Sequence, residues 1–443
     1  MLAAFTLRDF KSFRDATLPL GALTVMIGAN AAGKSNAIEA LRLLSWLAQG
    51  HKLSTIRYGG YEPVVRGRIE DLFHRGSDDF SLGCLSDDED WHRLSLRIGW
   101  RDGDLHIQQE TVDQLGGRVP LYLLDRPSVG MSTDAGVAYN NFAKGGTKPH
   151  VTVSDQMAVF TQLDSPARFE AGHRKAQEVI PVVARRYQRL LSDIVFLDPV
   201  PARMREYSFT NDRRLRGDGS HLSSVLHHLW GTDSQAHDEP VRSQREEMLA
   251  FIQSLPEQEI TGLAFLTGPR GEVMVQLQET FGGLCRWVDA SLLSDGTLRV
   301  LAIAAAMLSA PQGSLVVIEE IDNGVHPSRA HHLLERLRTL AQQRQLRVLL
   351  STHNPALLDA LPDAAVPDVV FCYRDPADGA SRLVRLSDVP DVPELLVQGP
   401  LGRLMSTGIL DRFIKQHPGP ETRRQQARAW LASLRLSGEE VRL

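Results

Sequence analysis

The chain has 443 residues, 42% hydrophobic and 23% charged, which exceeds one average core and predicts roughly two or three sub-domains. That apolar content excludes a mainly disordered chain. Lys+Arg 49 against Asp+Glu 54 gives a net charge of −5, which excludes a uniformly basic nucleic-acid binder and leaves only local basic patches.

Met1 to Phe10 lacks a basic stretch followed by an apolar one, so no signal peptide is expected. Ala4-Phe-Thr-Leu7 and Leu23-Thr-Val-Met-Ile27 read as two short strands, punctuated by Asp15 and Gly21. A glycine-bounded loop follows. The recurrence of Ile38, Leu41, Leu44 and Leu47 then predicts a helix from about Ser35 to Leu47. Residues 80–125 are strand-like, with runs at Leu94–Ile98, Leu105–Ile107 and Leu121–Leu124. Residues 126–155, rich in Gly, Ser, Thr and Asn, are expected to form a mobile loop.

Helical periodicity marks 168–191, 220–230 and 240–254, and strands are expected near 260–267 and 272–279. An apolar helix then runs to Ala310, and the strand Ser314–Ile318 ends in Glu319-Glu320. A helix at 327–344, the strand Leu346–Leu350 and a helix at 354–361 follow. The stretch 420–436 is helical and arginine-rich, with Arg423, Arg424 and Arg428. Cys84, Cys285 and Cys372 are far apart with no CxxC, which fits a reducing compartment better than a disulfide framework. The longest apolar run, Val300–Leu308, is far short of the roughly 20 residues that span a bilayer. A soluble cytoplasmic chain without membrane contact is therefore expected.

Gly28-Ala-Asn-Ala-Ala-Gly33-Lys34-Ser35 fits G-x-x-x-x-G-K-S between a strand and a helix. Such a loop points backbone N–H groups and a helix N-terminus at phosphates. Lys34 would reach the β- and γ-phosphates, and Ser35 would ligate Mg²⁺. Ala31 stands where many such loops carry glycine.

The strand ending in Glu319-Glu320 would deliver two carboxylates to the nucleotide edge of a parallel sheet. Glu319 would hold Mg²⁺, and Glu320 would orient or deprotonate a water. The alternative is a strand that simply ends in surface acids. Ser294-Asp295-Gly296 opens the next helix back, where Ser294 either caps the helix or binds phosphate. Thr352-His353 follows the later strand; a histidine there is either structural or in a position to contact a γ-phosphate.

The ordered set is phosphate loop, long insertion, Leu293-Ser-Asp-Gly-Thr-Leu-Arg299, Glu319-Glu320 and Ser351-Thr-His-Asn354. It resembles the ABC-type ATPase heads of the RecF, SMC and OLD kind. Phe10-Lys-Ser-Phe13, Asn36, Glu319–Pro327, Pro201–Arg205 and Leu215–Leu222 add to the resemblance. It implies a P-loop α/β head with an antiparallel β portion and an inserted helical region.

In domain terms the expectation is an N-terminal ATPase lobe at 1–165 and a helical insertion at 166–255. A C-terminal ATPase lobe at 256–375 and a tail at 376–443 complete it. The resemblance also implies ATP and Mg²⁺ as cofactors. Gly28, Asn30, Gly33, Lys34, Ser35 and Asn36 would bind the nucleotide, and Ser35 and Glu319 the metal. Glu320, His353 and Lys34 would be catalytic. Ser294 and Gly296 would cap the nucleotide of a second subunit in a homodimeric ATP sandwich. Gln108 and Gln109 are candidates for the glutamine that senses Mg²⁺.

No heptad arm interrupts the chain, and no D-x-D follows His353 on a strand, so neither a long coiled coil nor a Toprim nuclease is expected. Arg168-x4-His173 and Arg216-x4-His221 match a ribonuclease pattern that arises readily by chance. From Arg185 to Arg216, eight arginines oppose four acids, which suits nucleic acid, an acidic partner or a solvated face. The expected function is an ATPase that dimerises on ATP and regulates a separate effector. Similarity to ATPase subunits of phage-defence systems such as Septu and PARIS suggests an antiviral role. A RecF-like DNA-binding ATPase of repair is the alternative.

Overall fold

The computed structural model describes residues 1–58, 64–231, 239–253, 259–281, 283–323 and 327–416. The expected helix at 420–436, with its arginines, lies outside them. The front of the chain forms β1 (Leu2–Phe10), β2 (Phe13–Pro19), β3 (Leu23–Ile27) and α1 (Lys34–Ala48). There follow β4 (Asp79–Ser86), β5 (Arg93–Arg101), β6 (Asp104–Asp113), β7 (Tyr122–Arg126), β8 (Asp134–Tyr139) and β9 (His150–Ser154). The middle holds α2 (Arg174–Ser192), β10 (Val195–Leu197), α3 (Pro201–Met204), β11 (Ser208–Phe209), α4 (Leu222–Trp230) and α5 (Glu239–Gln253). Next come β12 (Glu259–Thr267), β13 (Glu272–Phe281), β14 (Leu284–Asp289) and α6 (Asp295–Ser309). Then β15 (Leu315–Ile318), α7 (Pro327–Gln343), β16 (Arg347–Thr352), α8 (Pro355–Asp359), β17 (Val369–Arg374) and β18 (Ser381–Arg385) complete the core.

A 14-stranded sheet takes the order β10-β15-β16-β3-β17-β18-β2-β1-β4-β5-β6-β7-β8-β9. From β10 to β17 neighbours run parallel; from β1 to β9 every pairing is antiparallel. A second sheet is built on β13, which pairs with β11, β12 and β14. All four segments expected from the sequence contribute at least one strand to the large sheet.

The parallel strands are apolar on both faces, and successive residues divide between two cores. Leu315 and Val317 join α1 and the antiparallel strands, whereas Val316 and Ile318 join α6 and α7. This alternation holds the parallel strands between helices and fixes their register.

Two expectations are corrected. Residues 1–27 form three strands, because Phe13-Arg-Asp-Ala-Thr-Leu carries its charges on the solvent side and still buries Phe13, Ala16 and Leu18. Residues 126–155 are not one mobile loop but contain β8 and β9. Their inward residues Ala135, Val137 and Tyr139 are buried, but glycine and alanine weaken the alternation in sequence. Arg101 holds the turn between β7 and β8 by donating to the carbonyls of Ser128 and Ser132, and it pairs with Asp155 at 3.3 Å.

Glu110 on β6 is fully buried. Its carboxylate accepts from Tyr122 Oη at 2.7 Å and from the N–H groups of Val159 and Phe160 at 2.7 and 2.9 Å. Burial nevertheless pushes its pKa up to about 7. Because the folded value lies above the unfolded one, this group's stabilisation is present at acid pH and is lost as pH rises toward and through 7. Urea midpoints of the nucleotide-free protein should therefore fall between pH 5 and 7.5, by the equivalent of about 2 kcal/mol from this group. Glu110→Gln should flatten that slope.

Candidate functional site

The parallel half of the sheet creates the site. Side-by-side parallel strands release their following residues along one edge. Here β3 releases the loop 28–33, β16 ends in Ser351-Thr352 before His353, β15 is followed by Glu319-Glu320, and β10 by Asp198.

In the loop, Gly28 and Gly33 have φ of 152° and 122°, and Ala31 has φ 64°. A Cβ at Gly28 would collide with the Cys372 carbonyl oxygen, and one at Gly33 with Ser381 Oγ. The chain therefore closes on these positions as only glycine allows. Lys34 folds back over the loop, donating from Nζ to Gly28 O at 2.6 Å and Ala29 O at 3.1 Å. Burial lowers its pKa, opposed by Cys372, Glu320 and Asp322. Helix α1 begins at Lys34 with no side-chain cap and no acid in its first turn. Its first N–H groups, the exposed Ser35 hydroxyl and the lysine form a donor set suited to phosphate oxygens. Asn30 is exposed on the same loop.

Residues from several segments brace this loop. Asn36 Nδ2 donates to Ser12 Oγ at 2.8 Å, Ser381 Oγ reaches Ser12 Oγ at 2.8 Å, and Arg374 Nε donates to Ala31 O at 3.2 Å. Lys11 forms an ion pair with Glu39, which also accepts from Arg66 N at 2.6 Å. The Phe10–Phe13 segment contained the signal for Lys11 and Ser12. Arg374 ends β17 and Ser381 begins β18, where nothing local marks them.

The acids occupy the same edge. Glu319 is 7% exposed, and Arg42 Nη2 donates to its Oε1 at 3.0 Å. Burial raises the Glu319 pKa; Arg42 opposes, and Asp198 and Glu320 add to the rise. Asp198, also missed by the sequence reading, is likewise raised by burial and by Glu320. Glu320 adopts φ 46°, a conformation unusual for a side-chain-bearing residue. Its N–H donates to Ser351 Oγ at 3.1 Å, and its Oε2 accepts from Asn323 Nδ2 at 2.7 Å. Thr352 Oγ1 donates to Asp322 Oδ1 at 2.6 Å, and Asp322 Oδ2 lies 3.8 Å from His353 Nδ1. Asp322 thus links the end of β16 to the histidine, while Ile321 is buried.

Ser294 caps α6, its Oγ accepting from Thr297 N at 3.1 Å. Arg205 donates to Asp295 Oδ1 at 2.6 Å and to Leu293 O at 3.0 Å, which neutralises the acid of this segment. Among the described residues, no hydrogen bond or ion pair joins Ser294 or Gly296 to the phosphate loop, Glu319, Glu320 or His353. Gln109, but not Gln108, lines a cleft of about 1490 Å³ shared with Ser12, Asn36 and Arg374. Arg168 donates to the carbonyls of Gln162 and Thr152, His173 meets Tyr139 Oη at 2.8 Å, and His221 lies 3.6 Å from Asp212. These histidines and Arg168 are engaged in packing contacts. Among the described residues, no three His, Cys, Asp or Glu side chains converge on a metal position. No helix among them is long and apolar enough to cross a membrane.

The family described as "AAA domain, putative AbiEii toxin, Type IV TA system" matches residues 23–135 and 158–359, from the strand before the phosphate loop to the helix after His353. The chain belongs to this family of P-loop ATPase domains. The chain is also 40% identical over 76 residues to "DNA replication and repair protein RecF" of Cutibacterium acnes (strain DSM 16379 / KPA171202). It is 34% identical over 73 residues to the RecF of Paenarthrobacter aurescens (strain TC1). These matches cover 16% and 15% of the ATPase and 18% of each relative. An SMC head bound to the C-winged helix domain of ScpA aligns over 86% of the ATPase and 96% of its own chain, at 12% identity and TM-score 0.45. The SMC head domain from Thermotoga maritima aligns over 87% and 98%, at 14% identity and TM-score 0.37.

Proposed function

We propose that this ATPase binds and hydrolyses Mg·ATP as a homodimer that sandwiches two nucleotides, and thereby regulates a separate effector protein. The observation that supports the reading best is the delivery of the phosphate loop, Glu319-Glu320 and His353 to one sheet edge by adjacent parallel strands. Gly28, Asn30, Gly33, Lys34, Ser35 and Asn36 are read as the nucleotide cradle, with Lys34 on the β- and γ-phosphates. Ser35 and Glu319 would hold Mg²⁺, which would supply charge neutralisation at the phosphates. Magnesium is commonly bound by one or two protein groups together with phosphates and waters, so the donor set fits without an all-protein cage. Glu320 orients and deprotonates the attacking water, and His353, steadied by Asp322, contacts the γ-phosphate.

Ser294 and Gly296, unconnected to the loop of their own chain, are read as the cap over the partner's nucleotide. Arg205 keeps Asp295 from repelling that phosphate. Arg205→Ala should leave ATP binding by the monomer intact but weaken ATP-dependent dimerisation, measured by light scattering. Dimerisation as strong as in the wild type would remove this role. Equilibrium binding of a fluorescent ATP analogue to the whole chain tests the broader reading. No saturable binding at millimolar nucleotide overturns it.

The family description, with its putative toxin, supports an effector partnership, and an anti-phage role is the form of it we favour. A second reading, a DNA-binding ATPase, draws on the names of the RecF relatives and on exposed Arg213 and Arg214. It predicts ATP-dependent, salt-sensitive DNA binding that charge reversal at those arginines abolishes.

A further inference from the structure

Arg42 carries a role that neither the motif set nor the fold assigns. It stands two turns beyond Ser35 on α1, so both residues lie on one helix face. Helical side chains lean toward the N-terminus, which carries the guanidinium back along that face. There it meets Glu319 at 3.0 Å. The Glu319 carboxyl is nearly buried and crowded by Asp198 and Glu320. A buried carboxylate needs a compensating cation, and Arg42 supplies one.

A divalent cation held by Ser35 and Glu319 would call on the same carboxylate. Arg42 and the metal then compete for one partner. Arg42 has another place to go. Its guanidinium already lies 5.1 Å from the centre of the Phe196 ring, and it lines a cleft of about 380 Å³ with Ser45, Trp46 and Arg213.

We propose that Arg42 is a positioning residue that holds Glu319 in the nucleotide-free ATPase and yields it when Mg²⁺ enters with nucleotide. The proposal rests on the reading of Glu319 as the metal acid. It makes metal and arginine negatively coupled through one carboxylate, so the guanidinium weakens the contribution of Mg²⁺ to nucleotide binding.

The test is calorimetric titration of the full chain with a nonhydrolysable ATP analogue, with Mg²⁺ and with EDTA. Wild type, Arg42→Ala, Arg42→Gln and Glu319→Gln are compared, with folding checked by circular dichroism. In either Arg42 variant, the tightening due to Mg²⁺ should grow by about 5-fold or more, while affinity in EDTA stays near wild type. Adding Glu319→Gln should erase that gain. Equal Mg²⁺ tightening in wild type and both Arg42 variants overturns the proposal, even if their melting temperatures drop, because a merely structural ion pair predicts that result. Absence of nucleotide binding in the wild type overturns the ATPase reading itself and is distinguishable from that outcome.

Discussion

Lys34→Ala should lower ATP affinity by about 10- to 100-fold, the loss expected when charge-assisted hydrogen bonds to phosphate are removed. Without nucleotide, the ammonium rests on Gly28 O and Ala29 O inside the loop, half-buried and already drawn away from its ordinary pKa. Phosphate oxygens would offer it a full negative charge in place of two neutral carbonyls. Both acceptors are neutral backbone carbonyls of the loop, and no described ion pair involves the lysine. The fold should therefore survive, with a melting temperature near wild type. Fluorescence anisotropy with a labelled nucleotide reads the affinity, and the melt separates lost binding from lost structure. Affinity equal to wild type would show that the loop does not hold the phosphates.

Glu320→Gln should do the opposite to binding. It keeps the size of the side chain and its contact with Asn323, but removes the basic oxygen. Loss of a general base typically slows the chemical step by about 10²- to 10⁴-fold. ATP would bind and persist, and two nucleotides held between two subunits would stabilise the interface that they bridge. Light scattering should show a monomer without nucleotide and a stable dimer with Mg·ATP. A monomer under both conditions contradicts the sandwich. The backbone of Glu320, at φ 46° and tied to Ser351, fixes where the carboxylate starts. A looser shelf would blunt the base even with the carboxylate present, so Ser351→Ala is expected to slow hydrolysis less severely than Glu320→Gln.

The proposed nucleotide site was open to a linear reading because each part carries its own local signal. A strand followed by Gly28–Ser35, an apolar run ending in two acids, and a histidine just past another apolar run announce themselves within a few residues. Parallel strands between helices are continuous apolar stretches, so their ends are legible wherever the chain turns polar. The front sheet was harder to read. There β8 sets Gly136 and Ala138 between its buried residues and β2 has two adjacent exposed charges, Arg14 and Asp15, so alternation fades although the strands remain.

The order of residues along the chain is enough to name the kind of machine: a phosphate loop, its acids and an expected ATPase head. Which side chains hold those parts emerges from the folded chain alone. Arg42 on Glu319, Asp198 beside them, Asp322 below His353, Ser381 and Arg374 on the loop, and Arg205 on Asp295 are all pairings between distant segments. Their partners lie tens to hundreds of residues apart, or on strands whose neighbours are set by sheet order. A side chain's charge is written locally. The charge that answers it is chosen by strand register and helix packing, which no local window contains.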